Sequence, residues 1–197
     1  MSKIHFVQSL VSRLLVEEVF QAYFVGLEKE HADELERVEK YLSQFGPVES
    51  INTWRSTTLS ILHKDAPTKL QPQTTALTNT IITRLNTIMA SISDTQPSES
   101  RDASLRVLIS TAIDLSRLLR VQKAVFTVTM PVLVEHQQTM FDVDCMEDIG
   151  GEDEETLHER EIRCVTFPGI VKAGDEHGES VYLRNVVAKI RVLCAPD

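Results

Sequence analysis

Apolar residues recur at helical spacing over most of the first 124 positions and at strand spacing beyond them. From Ile4, the positions Val7, Leu10, Val11, Leu14, Leu15 and Val19 fall mostly three or four apart, and Phe20, Tyr23 and Phe24 add aromatic bulk to the same buried face. Leu35, Val38, Leu42 and Phe45 carry the pattern past a loosening at Gly26, until Gly46-Pro47 stops the helix. A second helix is predicted over 48–64, with Ile51, Trp54, Thr58 and Ile61 or Leu62 buried, followed by a loop from Asp65 to Pro72. A third, over 73–93, buries Leu77, Ile81, Leu85, Ile88 and Ile92, with Ile82 and Met89 widening the stripe. Asp94 to Asp102 reads as a linker. The fourth helix, N-capped by Ser100 or Asp102, buries Leu105, Leu108, Ala112, Leu115 and Leu119, thickened by Ile109, Ile113 and Leu118.

The period then changes. Val125 to Met130 is β-branched and alternating and ends at Pro131, which predicts a strand, with a loop over 136–140. Two further β-runs, Ile162 to Phe167 and Val186 to Cys194, flank a turn-rich Pro168–Glu179 segment. In the second run Val186, Ala188, Ile190, Val192 and Cys194 share one face and Lys189 and Arg191 the other, the pattern of a half-buried strand. Such a small sheet needs apolar support from the helices. The fold class expected is therefore mainly α: a bundle of four or more helices over 1–124 with a small C-terminal antiparallel β-module, 125–197 comprising an acidic connector and the module packed on the bundle.

Charge sharpens this picture. The net charge of -9 is unevenly placed: residues 46–124 carry nine Lys/Arg against six Asp/Glu, and residues 125–197 six against fifteen. Ten acids and one arginine fall within 142–161, which predicts a solvated connector. Arg106, Arg117 and Arg120 fall within about 60° of one another at about 100° per residue, a basic stripe expected on the outer side of the fourth helix. The third helix carries Thr74, Thr75, Thr78, Thr80, Thr83 and Thr87, with Arg84 the single charge between Gln71 and Ser93. An exposed helix favours Glu and Lys over Thr, so this face is a candidate for cover by another chain or by another part of this one, with Thr78 and Thr83 as candidate interaction residues. An acidic chain has no electrostatic pull toward nucleic acid or an anionic membrane. The sequence has neither a long apolar run nor a secretory leader pattern, which sets the expectation of a cytoplasmic or nuclear protein.

Catalytic and metal motifs fail at their required spacings. Asp142 and Asp144 begin a calcium-loop pattern, but Met146 falls at the third ligand and Glu147 where the sharp turn needs glycine. Cys145, Cys164 and Cys194 lack Cys-x-x-Cys spacing and are read as reduced, and His136 with Cys145 has no second ligand pair. Ser60, His63 and Asp65 lack a nucleophile elbow, and no phosphate-binding glycine loop occurs. The expectation is no catalytic residue, no cofactor and no metal.

Two resemblances rest on particular residues. The Phe141–Ile149 segment, Phe167–Glu179 and Leu183–Val192 resemble the C-terminal region of uncharacterised proteins of filamentous fungi, over residues from about 105 onward. That resemblance implies no activity. The order of helices before a small β-domain, with Phe141, Asp142 and Glu147 ahead of it, is also similar to the GrpE nucleotide exchange factors, although Val143 stands where they have proline and four helices precede the β-part. The sequence reading is a non-catalytic interaction or regulatory domain that docks a protein partner or self-associates. Its alternatives are a GrpE-like exchange factor and an enzyme whose site is scattered in sequence. The acidic connector is expected to lie along the Arg106–Arg117–Arg120 stripe.

Overall fold

The structure, a computed structural model, describes residues 2–92, 98–151, 157 and 160–195. Among these are α1 (Lys3–Leu15), a π-helical turn (Val16–Phe20), α2 (Lys29–Leu42), α3 (Val48–Asp65), α4 (Pro67–Ile92) and α5 (Glu99–Arg120). The strands are β1 (Val125–Thr129), β2 (Met146–Asp148), β3 (Ile162–Phe167), β4 (Gly169–Ala173), β5 (Arg184–Ala188) and β6 (Ile190–Cys194). The helices-then-sheet order agrees with the sequence reading. The β-part is larger than expected: two three-stranded sheets, ordered β1-β4-β5 and β2-β6-β3, with β2 parallel to β6 and the other named pairings antiparallel.

The first helical run is central because it is apolar on two sides. Leu14, Leu15, Val19 and Val25 pack against Ile81, Ile82 and Leu85 of α4 and Ile109, Ala112 and Ile113 of α5. Val16 turns the other way, into a second core with Met130, Phe141, Met146, Ile162, Val165, Ile190 and Val192. The wider π turn, closed by the Gln21 amide donating to the Val16 carbonyl at 3.0 Å, sits where the chain serves both cores. Ser12 Oγ donates to the Thr166 carbonyl at 2.7 Å, and Arg13 donates to the carbonyls of Met130 and Pro131, so α1 is bonded to the sheets as well as packed on them.

Several expected boundaries shift for identifiable reasons. The run from Ile4 to Phe45 is two helices, because residues 21–28 form a turn with Gly26 at φ +99°. The loop predicted over 65–72 is helix from Pro67 onward, with Pro72 inside it. Ser98, not Ser100 or Asp102, caps α5 by accepting from the Arg101 amide. α3 buries Asn52, Arg55 and Leu59 and leaves Ile61 exposed, a different stripe from the one predicted. α5 is likewise rotated: Ile109, Ala112, Ile113 and Ser116 face the core, while Leu108, Leu115 and Leu118 are exposed.

In the β-part, the 186–194 run is two strands in different sheets, with Lys189 at the crossing. β4 occupies what reads in sequence as turn, and Gly169 at its start is required there: a side chain would meet Ile190 Cγ1 at 2.7 Å and the Ala188 carbonyl at 3.0 Å. The 142–161 connector is not simply solvated, since β2 lies within it and Met146 and Leu157 are buried.

Candidate functional site

The turn over 21–28 leaves backbone carbonyls without helical partners, and buried carbonyls need donors. Two arginines of α5 supply them. Arg117 lies one turn beyond Ile113 on the core-facing side, from where its Nε donates to the Val25 carbonyl at 3.0 Å and its Nη2 to Thr74 Oγ1 at 2.6 Å. Burial pulls the pKa of this guanidinium down, and the nearby Asp114 partly restores it. Arg120 donates to the Tyr23 carbonyl at 2.9 Å and stacks its guanidinium 4.7 Å from the centre of the Tyr23 ring.

From Tyr23 the network passes to α2 and α3. The Tyr23 hydroxyl donates to Glu39 Oε2 at 2.8 Å, and Glu39 Oε1 lies 3.7 Å from Nη1 of Arg55. Arg55 is buried and donates to Asn52 Oδ1 and to the carbonyls of Gln122, Lys123 and Ala124. Asn52 in turn donates to the Gly178 carbonyl at 2.9 Å, in the β4–β5 turn. Burial, then the bond to Glu39, raises the pKa of the Tyr23 phenol well above its ordinary value.

This network holds α2 beside the α3–α4 corner without packing it tightly. α2 has no buried residue, and Val38 is 44% exposed. Between α2 and the corner lies an apolar groove of about 570 Å³, floored by Leu35, Val38, Leu62 and Leu70 and rimmed by Glu28, His31, Glu34 and Lys69. Gly26 closes one end, where a side chain would meet Leu70 Cβ at 2.9 Å and Arg117 Nη2 at 2.8 Å.

Of the residues expected to form an interaction site, Arg106, Arg117 and Thr78 do come together. They line a polar cleft of about 270 Å³ between α4 and α5, with Thr74, Ser110 and Asp114. Within it Arg106 donates to Asn79 Oδ1 at 2.7 Å, and the Thr78 hydroxyl donates to the Thr74 carbonyl at 2.8 Å. Arg120 lies elsewhere, on Tyr23, and Thr83 is exposed on α4 with its carbonyl accepting from the Thr87 hydroxyl. The outer basic stripe is thus corrected: the helix is rotated, and Arg117 and Arg120 serve the 21–28 turn. Among the described connector residues the contacts run to β6 instead, with Glu147 Oε2 3.3 Å from Arg191 Nε and Asp148 Oδ1 accepting from the Cys194 amide. Residues 152–156, 158 and 159 of the connector lie outside the described residues.

Sequence reasoning missed Tyr23, Glu39, Asn52 and Arg55 as a group. The signal was present as a second stripe in α3, Asn52, Arg55 and Leu59 at spacings of three and four, hidden because two of its members are polar.

Among the described residues no three His, Cys, Asp or Glu side chains are placed to hold a metal ion, and no helix is long and apolar enough to cross a membrane. No family model and no solved structure matches the chain. It is similar to a protein named Leashin from Aspergillus fumigatus, at 29% identity over 184 residues, which covers 87% of this chain. The chain spans about 3% of the length of that relative. The similarity therefore reaches well before the C-terminal region on which the fungal resemblance rests.

Proposed function

We propose that this chain is a non-catalytic protein–protein interaction domain that self-associates through the outer face of α4 and α5. The observation that carries the reading is the scarcity of charge on that face. On α5, Val107 is 68% and Leu118 52% exposed, and Leu108, Thr111 and Leu115 are exposed between them. On α4, Thr75, Thr80, Thr83 and Thr87 are exposed, and the one charged residue from Gln71 to Ile92, Arg84, is paired with Glu18. Arg106 and Asp114 are the charges along the α5 side between Leu105 and Ser116.

Positions 108, 111, 115 and 118 repeat at three, four and three, the seam spacing of one helix laid along another. Two chains of net charge -9 repel each other, and contact is least costly where acids are few, here Asp114 on α5. Size is adequate too. The 22 residues of α5 span about 33 Å, and two helices side by side are about 20 Å wide, giving about 650 Å², close to the roughly 800 Å² per partner of a standard interface. Similarity to a small part of a much longer fungal protein accords with a module that makes contacts within a larger chain.

Sedimentation equilibrium tests the reading. A dimer that strengthens up to several hundred micromolar, and that Leu115→Glu with Leu118→Glu or Thr83→Glu returns to monomer without lowering the melting temperature, is expected. A wild-type chain that stays monomeric over that range overturns it.

A further inference from the structure

We propose that the groove between α2 and the α3–α4 corner is a second docking site, which seats the apolar face of a basic amphipathic helix from a protein partner. It shares no residue with the α4–α5 face and stands on separate observations.

The first is the floor. The exposed Val38 and the half-buried Leu35 and Leu62 present apolar surface above the buried Leu70 in a volume of about 570 Å³, within the range that holds a compact ligand or one side of a helix. α2 carries apolar residues at 35, 38 and 42, the spacing that buries a helix face, yet buries none of them fully. α2 is tied to the bundle through Glu39, on Tyr23 and Arg55, and its half-covered apolar positions leave an open trough against which one face of a further helix can lie.

The second is the rim, which decides the occupant. Glu28 and Glu34 stand exposed on the α2 side, and Glu34 has no ion pair among the described residues. His31 stands 4.0 Å from Glu28, and Lys69 faces them from α4. An apolar trough with carboxylates along one wall selects leucine-like side chains flanked by Lys or Arg on the side that meets α2, and disfavours an acyl carboxylate or an acidic peptide.

The test uses the whole chain and two fluorescein-labelled designed helices, both with leucines at i, i+3, i+4 and i+7, one flanked by lysines and the other by glutamates, read by fluorescence anisotropy at physiological salt. The lysine helix should bind at least ten-fold more tightly than the glutamate helix. Glu34→Lys should remove most of that preference, and Val38→Asp should weaken the lysine helix at least ten-fold; both positions are exposed, so the fold tolerates them. Glu135→Lys, on an exposed loop remote in sequence, controls for the chain's overall acidity and should leave binding unchanged. Equal binding of the two helices, or a loss on Glu135→Lys as large as on Glu34→Lys, overturns the proposal.

Discussion

Tyr23 shows how one side chain reports on its surroundings. Its phenol is half-buried and donates to Glu39, and both effects favour the protonated form. An unfolded tyrosine titrates near pH 10, so between that pH and the higher folded value the native state holds a proton that the unfolded state has released. The Tyr23 contribution to stability is therefore fully present below about pH 10 and is lost as pH rises above it. In urea titrations from pH 9 to 11 the wild-type midpoint should fall more steeply than that of Tyr23→Phe; parallel curves would refute the assignment. Cys145 gives a second reading of the same kind. Burial and the Asp142 carboxylate raise its thiol to about 11, so at pH 8 it holds little thiolate and should alkylate with iodoacetamide at least ten-fold more slowly than a free cysteine. Mass spectrometry of the labelled peptide checks this. Residues of this sort were only half legible in sequence. Tyr23 announces itself as buried aromatic bulk, but the partners that give it a role, Glu39 and Arg120, look like ordinary surface charges until the fold brings them within 3 Å to 5 Å of it.

Elements were legible where local and tertiary preferences agree and not where tertiary packing overrides them. α4 is the clear case. Pro72 reads as a loop residue because proline removes an amide and crowds the carbonyl four residues earlier, here that of Thr68. The helix nevertheless runs through it from Pro67, anchored by the buried Leu70. Pro72 is exposed, so Pro72→Ala should restore a backbone hydrogen bond and raise stability by about 1–2 kcal/mol, less than the intrinsic difference because alanine also frees the unfolded chain. A lower melting temperature in this variant would mean that proline is serving a role the helix does not show. The rotation of α5 has a different origin. Leu108, Leu115 and Leu118 are as apolar as Ile109 and Ile113, so periodicity admits two faces about 100° apart, and the choice falls to the face whose neighbours include Arg117 and Arg120, needed by the 21–28 turn. The β5–β6 break is invisible to alternation, since Val186, Ala188, Ile190 and Val192 keep one parity in sequence, yet β5 is exposed along its whole length and the buried positions Ile190 and Val192 belong to β6.

At the scale of the molecule, Arg55 joins the helical layer to the β-part that the sequence reading packs on it. It ties α3 to the start of the β-part through three carbonyls, and with Asn52 reaches the β4–β5 turn. Removing such a buried cation leaves those acceptors and Glu39 without their partner, so Arg55→Met should destabilise the chain by about 3 kcal/mol, with helical and sheet signals melting together. Separate melting of the two signals already in the wild type would show that the layers are independent. The candidate groove was not readable before the fold, because its walls come from α2, α3 and α4 and no single segment carries its pattern.

The central position of β6 bears on the order in which the chain can fold. β6 lies between β2 and β3, and α1, 154 residues earlier than its bonded partner Thr166, waits on the same sheet. Neither β2 nor β3 has its neighbour until β6 arrives, and α1 meets this sheet through β3. Contacts between such distant segments slow folding, because a long loop must close before any of them is rewarded. The sheet-facing side of α1 is therefore completed late in synthesis, when β3 and its partner β6 have both emerged.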